Sequence, residues 1–145
     1  MSAESFSGVG ILFALLAVVG ATSATTNASP VRAVLPADDD AWRDGPPGFP
    51  GGSMFAVVSG DPTRAGPFMI RVELPSGYRL PPYRRARDES IIVLAGTIEV
   101  DTHTLASGSF IRLRADEPHS LSTQSGATLQ IFGDGPLEIR TALSQ

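Results

Sequence analysis

The sequence predicts a small all-β domain, folded as an antiparallel sandwich or barrel. Fifteen Gly and 12 Pro among 145 residues make the chain rich in turn formers. Beyond residue 53, these turn formers leave stretches of about five to nine residues, which is the length of ordinary strands. No helical hydrophobic period is present after residue 30. The length suits one domain, and 42 % hydrophobic with 18 % charged residues is the composition of a folded chain.

Residues 1–24 are predicted to be a signal peptide. The run VGILFALLAVVGA (9–21) has 13 uncharged, mainly apolar residues, whereas a helix that spans a bilayer needs about 20. The small residues at 21–24 suit a cleavage site, although Glu4 leaves the terminal amine as the only positive charge before the run. We therefore expect an exported protein, periplasmic or secreted. If the segment stays uncleaved, it forms a membrane anchor or a short buried helix instead.

The start of the folded domain is marked by a turn-rich segment. GPPGFPGG (45–52) can form neither a helix nor a central strand. Trp42 and Phe49 are expected to cover one end of the core. The sequence therefore predicts a linker over 25–41, a single domain over 42–140 and a tail over 141–145.

From Met54 onward, apolar and polar residues alternate as they do in half-buried strands. The clearest case has one apolar face, which is formed by Phe68, Ile70, Val72 and Leu74. Turn formers predict strand ends at 59–62, 75–77, 95–96, 107–108, 125–126 and 133–136. Eight or nine short strands are therefore expected.

Missing residue types exclude several kinds of chemistry. The chain has no Cys, which excludes disulfides, thiol nucleophiles and Cys-ligated metal sites. It has eleven Arg and no Lys, which excludes Schiff-base chemistry and a Walker-type lysine. His103 and His119 are the only histidines, so a three-His metal site cannot form. Because the net charge is −4, nucleic acid is not expected as a partner.

Two spaced patterns occupy the middle of the chain. The first is Gly, five residues, Tyr, one, Arg, three, Glu, six, Gly, at Gly77, Tyr83, Arg85, Glu89 and Gly96. The second is Gly, five, Arg, one, Asp, two, His, three, Thr, at Gly108, Arg114, Asp116, His119 and Thr123. This spacing resembles the two motifs of the cupin superfamily, in which His stands at 83 and 85, and Pro, Gly and Asn at 114, 116 and 123. The resemblance covers roughly residues 42–140 and implies a single-domain antiparallel β-barrel of the jelly-roll type, in a small exported protein.

In cupins, the residues at positions 83, 85, 89 and 119 together hold one divalent metal. Tyr83 could be a ligand only as phenolate, which its ordinary pKa disfavours. Arg85 has no lone pair to give. Glu89 and His119 stay competent ligands. We therefore expect no cofactor, with a residual divalent-metal site through Glu89 and His119 as the alternative.

Arg85 brings a positive charge to the place that a metal would take. Residues two apart in a strand share a face, so Tyr83 and Arg85 should both point into the barrel. We expect Arg85 to pair with Glu89 there, because a buried charge is tolerated mainly when it is paired. This internal ion pair is the favoured interpretation, beside the residual metal site and a metal-free functional pocket.

Other side chains complete the candidate pocket. The resemblance places Gln130 inside as a polar wall, while the alternation alone allows either face. Arg84 and Arg87 are expected at a solvated rim that could attract an anionic ligand. His103 is expected at an exposed turn. The predicted ligand pocket is therefore Tyr83, Arg85, Glu89, His119 and Gln130.

Three functions remain open, and the sequence leaves open whether the protein is an enzyme. The first is an exported cupin that binds a small molecule, an anionic one among the options, or that is structural. The second is a metal-dependent oxidoreductase of the dioxygenase kind, against which Arg85 argues. The third is a metal-free acid–base enzyme of the isomerase or epimerase kind, with His119 and Tyr83 as catalytic candidates. A homodimer is compatible with all three, and membrane contact is expected only through an uncleaved N-terminal segment.

Overall fold

A computed structural model describes residues 41–141 of the chain. Residues 1–40 and 142–145 lie outside the described residues. The signal peptide over 1–24, the linker over 25–41 and the tail over 141–145 therefore stay predictions. Within the described part, no helix is long and apolar enough to cross a membrane.

The described residues form ten strands. They are β1 (Arg43–Asp44), β2 (Met54–Gly60), β3 (Gly66–Leu74), β4 (Arg79–Arg84), β5 (Glu89–Val100), β6 (His103–Ala106), β7 (Phe110–Leu113), β8 (His119–Ser122), β9 (Ala127–Gly135) and β10 (Arg140–Thr141). All pairings between them are antiparallel. The hydrogen-bonded order is β1-β2-β3-β9-β5-β8-β4-β10, with β6 and β7 attached to β5. The architecture is a curled antiparallel sheet that encloses one core, as the all-β prediction requires.

Strand β5 joins the two halves of this curled sheet. Its first residues pair with β7 and β9, and its last residues pair with β6 and β8. A register shift between Val93 and Ala95 bends the strand. The predicted strand end at 95–96 is therefore wrong, because the glycine there marks a bend within one long strand. Gly96 has a φ of +77°, and a Cβ on it would collide with the carbonyl oxygen of Gly126.

The core lies on the concave side of the sheet. Strand β3 buries alternate residues, and these are the four that the alternation predicts, namely Phe68, Ile70, Val72 and Leu74. Leu129 and Ile131 of β9 and Ile91 and Val93 of β5 face the same interior. Phe49 packs against this core as expected, whereas Trp42 is half-buried.

Candidate functional site

Strands β4, β5 and β8 bring four predicted site residues to one place. Tyr83 in β4 pairs with His119, the first residue of β8. Glu89 is the first residue of β5, and Arg85 follows the last residue of β4. Strand alternation turns these side chains inward, and Tyr83, Arg85 and Glu89 are at most 4 % exposed. The four line one small cavity, whose other walls are Arg87, Leu113 and Arg114.

The predicted Arg85–Glu89 ion pair is present and buried. Arg85 Nη1 lies 2.5 Å from Glu89 Oε2, and both side chains are 3 % exposed. The guanidinium also lies over the ring of Phe68, with 5.5 Å between its central carbon and the ring centroid. Gly133 of β9 pairs with Glu89, and a Cβ there would lie 3.9 Å from Arg85 Nη1. The fold thus provides a fitted position for a charged arginine.

A second carboxylate holds His119 from the outside. Asp101 lies in the turn after β5 with a φ of +52°. Its Oδ2 lies 3.1 Å from His119 Nδ1, and its Oδ1 accepts hydrogen bonds from the Ser120 amide and hydroxyl. Partial burial opposes ionisation, but these hydrogen bonds outweigh it and lower the pKa of Asp101. A carboxylate there can accept a hydrogen bond from Nδ1–H, and in that neutral tautomer Nε2 is an acceptor.

The cavity is very small, and six of its seven lining residues are polar or charged. It holds about 10 Å³ of water-sized space. Five buried polar atoms of the lining residues have no hydrogen bond of good geometry among the described residues, and they are Tyr83 Oη, Arg85 Nε, Arg85 Nη2, Glu89 Oε1 and His119 Nε2. Tyr83 and Glu89 are nevertheless close enough for each side chain to shift the pKa of the other. Buried polar atoms are usually satisfied, so this cluster differs from the rest of the interior.

Burial sets the protonation of the two acids in the cluster. It raises the pKa of Tyr83 well above the ordinary range, and the Glu89 carboxylate beside it raises this pKa further. Tyr83 therefore keeps its proton at neutral pH. Burial also raises the pKa of Glu89, and the charge of Arg85 is the strongest influence that lowers it. The Glu89 carboxylate thus favours the protonated phenol of Tyr83, and Arg85 favours the ionised form of Glu89.

These donors do not fit a zinc or non-haem iron site. A protonated phenol is a poor ligand, and the Arg85 guanidinium has no lone pair. One oxygen of Glu89 is bound to Arg85, which leaves Glu89 Oε1 and His119 Nε2 as donors. Protein sites for zinc and for non-haem iron use at least three protein ligands. Within residues 41–141, no three acidic or imidazole side chains form a group that could hold a metal ion.

The structure does not bring Gln130 into this cluster. Its neighbours Leu129 and Ile131 face the core, so Gln130 lies on the opposite face of β9. There its amide donates to the Ile70 carbonyl at 3.0 Å. The expectation that Gln130 forms a pocket wall is therefore corrected, because alternation along β9 places it on the face opposite the core. His103 is exposed, as expected.

The two rim arginines have different positions. Both Arg84 and Arg87 are exposed, but only Arg87 lines the cavity. Arg114 was not among the sequence-predicted pocket residues, yet it lies beside Arg87. Its position in the second motif was the available signal. Asp101 could not be assigned to His119 from the sequence, because their contact depends on how β5 meets β8.

No protein-family model matches this chain, and no curated protein matches its sequence. Solved structures do match its fold. An acetylacetone dioxygenase from Acinetobacter johnsonii superposes with a TM-score of 0.63 at 16 % identity, over 78 % of this chain and 80 % of that one. An RmlC-like cupin from Shewanella frigidimarina gives 0.59 at 13 % identity, over 70 % and 89 %. This chain has the cupin fold.

Other cupin-fold similarities extend across functions. The polyketide cyclase RemF from Streptomyces resistomycificus gives a TM-score of 0.55 at 16 % identity, over 62 % of this chain and 70 % of that one. A dioxygenase and a cyclase thus share this architecture. The cupin fold therefore leaves the activity to be argued from the site itself.

Proposed function

We propose that this protein is an exported, metal-independent cupin that binds a small anionic molecule at the Tyr83–Arg85–Glu89–His119 cluster. The observation that carries the proposal is the buried ion pair between Arg85 and Glu89. It puts a fixed protein charge where the cupin motif has metal ligands. A guanidinium stays protonated at any physiological pH, so this charge does not depend on metal supply.

The charges around the cavity favour an anionic ligand. Its lining contains three arginines and one carboxylate, Arg85, Arg87, Arg114 and Glu89, although the whole chain carries a net charge of −4. Glu89 neutralises Arg85, so the exposed Arg87 and Arg114 are the charges that an incoming anion meets. A local excess of one sign raises the concentration and the association rate of ligands of the opposite sign.

Calorimetric titration of the purified protein with acetate, succinate and inorganic phosphate tests this proposal. At least one anion should bind, and the double variant Arg87→Gln/Arg114→Gln should weaken it about thirtyfold, since each of the two charge-assisted contacts contributes on the order of 1 kcal/mol. Arg64→Gln is the matched control, because Arg64 is exposed and lies outside the cavity lining. Equal effects of all three substitutions, or no binding, contradict the proposal and favour the structural alternative.

An acid–base activity is the second candidate, and the Asp101–His119 contact favours it. Nε2 of His119 would take a proton from a substrate carbon next to a carbonyl group, and the Tyr83 hydroxyl would give a proton back. Asp101 would hold the imidazole in the required tautomer. The ¹⁵N chemical shifts of the His119 ring report this directly. Protonated Nδ1 with bare Nε2 near neutral pH supports the candidate, and the opposite tautomer argues against it.

The dioxygenase activity in the name of one cupin-fold neighbour is not proposed here, because Arg85 occupies a ligand position of such a site. Export remains part of the proposal and rests on the apolar run at 9–21. The intact mass of protein from its native host should lack residues 1–24. A full-length mass in the membrane fraction would mean an uncleaved anchor.

A further inference from the structure

The cavity at the centre of the site is about the size of one water molecule. Its space of about 10 Å³ is at the lower limit for a single water, which needs roughly 10–15 Å³. The residues around it are fixed, because Arg85 and Glu89 hold each other and Asp101 holds His119. The cavity is therefore a formed site for something very small.

The five unpartnered atoms comprise donors and acceptors, which is the mixture that an O–H oxygen can bridge. Arg85 Nε and Nη2 lie on the same edge of the guanidinium, and both can only donate. The protonated Tyr83 hydroxyl supplies another donor. Glu89 Oε1 can only accept, and His119 Nε2 accepts when the ring proton is on Nδ1 toward Asp101. A water molecule accepts two hydrogen bonds and donates two, so it can serve four of these five atoms. A ligand hydroxyl accepts two and donates one, so it can serve three.

We infer that this cavity binds one O–H group, namely a water molecule in the free protein and a hydroxyl group of the ligand in the complex. The second part rests on the proposed function. Together, the two point to a small hydroxy acid, with its hydroxyl between Tyr83 and His119 and its carboxylate at Arg87 and Arg114.

A carboxylate oxygen fits the cavity less well than a hydroxyl. It could accept from Arg85 and Tyr83, but it has no hydrogen for Glu89 Oε1 or His119 Nε2. It would also place a second negative charge next to Glu89. A ligand group that cannot reproduce the hydrogen bonds of a displaced water loses affinity. The cavity therefore favours the hydroxyl group of the ligand, and Arg87 and Arg114 favour its carboxylate.

A high-resolution crystal structure of the wild-type protein tests the first part without any ligand. We expect one isolated density peak within about 2.6–3.2 Å of Tyr83 Oη, Glu89 Oε1, His119 Nε2 and one Arg85 nitrogen. The inference is overturned if the peak is missing and the side chains bond directly to one another. It is equally overturned if the peak has the ligand distances of a metal ion.

Matched pairs of acids test the second part by calorimetry. The pairs are acetate with glycolate, propionate with 3-hydroxypropionate, and butyrate with 4-hydroxybutyrate. In at least one pair, the hydroxy acid should bind about tenfold tighter, which is the value of one good hydrogen bond to charged partners. Tyr83→Phe should reduce this preference. Tyr78→Phe is the control, because the Tyr78 hydroxyl donates to the Pro50 carbonyl outside the cavity.

The outcomes separate the inference from the proposed function. Equal binding within every pair overturns the hydroxyl site and leaves anion binding intact. If no acid binds, the proposed function is wrong, while the crystallographic peak still decides whether the cavity is an O–H site.

Discussion

Two consecutive residues of this chain, Asp88 and Glu89, each pair with an arginine, but the first pair is exposed and the second is buried. Asp88 bonds to Arg112 at 2.8 Å with side chains that are 43 % and 66 % exposed. Glu89 bonds to Arg85 at 2.5 Å with both side chains 3 % exposed. Asp88 directly precedes β5 and Glu89 is its first residue, and the two side chains lie on opposite sides of the sheet. The same kind of arginine–carboxylate ion pair is therefore in contact with solvent on one face of the sheet and buried on the other.

The difference supports the proposal that this site works without a metal. An exposed ion pair contributes about 0–1 kcal/mol, because water screens both charges. A buried pair gives up its hydration, so removing one partner leaves the other as an unpaired buried charge that destabilises the fold. Arg85 with Glu89 is thus a unit that a single substitution breaks, whereas Arg112 with Asp88 is not.

Removing the buried carboxylate should have the largest effect. Glu89→Ala leaves the Arg85 guanidinium enclosed without its partner, and we expect a loss of about 3–5 kcal/mol in the free energy of unfolding. Arg112→Ala, the control on the exposed pair, should cost about 0–1 kcal/mol. Urea melts of both variants measure the difference.

The double variant Arg85→Met with Glu89→Gln sharpens this test. It should be more stable than Glu89→Ala, because no isolated charge stays buried. If Glu89→Ala costs no more than Arg112→Ala, the inner pair is solvated in solution and the comparison fails.

The pH dependence of Arg85→Met should be the next largest effect. Burial raises the pKa of Glu89, and Arg85 is the main influence that lowers it, so this pKa should rise further in the variant. A carboxyl with a raised folded-state pKa carries no penalty below its unfolded pKa and destabilises the fold as the pH rises through the folded value. The variant should therefore lose more stability relative to wild type at pH 8 than at pH 5, by about 1.4 kcal/mol for each unit of rise.

Glu89→Gln is the matched comparison for that experiment. It has no titrating carboxyl at position 89, whereas wild type loses some stability with rising pH because the pKa of Glu89 is raised. The loss of Glu89→Gln relative to wild type should therefore shrink between pH 5 and pH 8, opposite in sign to that of Arg85→Met. A flat difference for Arg85→Met would show that Arg85 does not control the ionisation of Glu89.

The glycine beside the inner pair should show a smaller effect. A Cβ on Gly133 would lie 2.9 Å from the Asp88 carbonyl oxygen and 3.9 Å from Arg85 Nη1. Gly133→Ala should therefore cost about 1–3 kcal/mol by crowding. Gly51→Ala, where a Cβ has nothing within 4 Å, is the control and should be nearly neutral. Equal melting temperatures for the two variants would show that the pocket has more room than the structure indicates.

Much of this molecule could be predicted from local patterns. Alternation gave the inward face of β3, and the motif spacing placed Tyr83, Arg85, Glu89 and His119 together. Gln130 shows the limit, because the resemblance placed it inside and the alternation allowed either face, whereas in the structure it lies on the face of β9 opposite Leu129 and Ile131. Contacts between distant strands, such as Asp101 with His119, depend on register and bending that no short segment encodes.

The central claim is that the Arg85–Glu89 pair takes the place of a metal, and metal binding by untagged protein tests it most directly. Wild type and the Tyr83→His/Arg85→His variant are titrated with Mn²⁺, Fe²⁺, Ni²⁺ and Zn²⁺ while thermal unfolding is followed. The variant should gain a site with Glu89 and His119, and stability should rise by about 2.7 kcal/mol at a hundredfold excess over Kd. Wild type should show no such rise and no metal after gel filtration. Stoichiometric metal retained by wild type would contradict the claim.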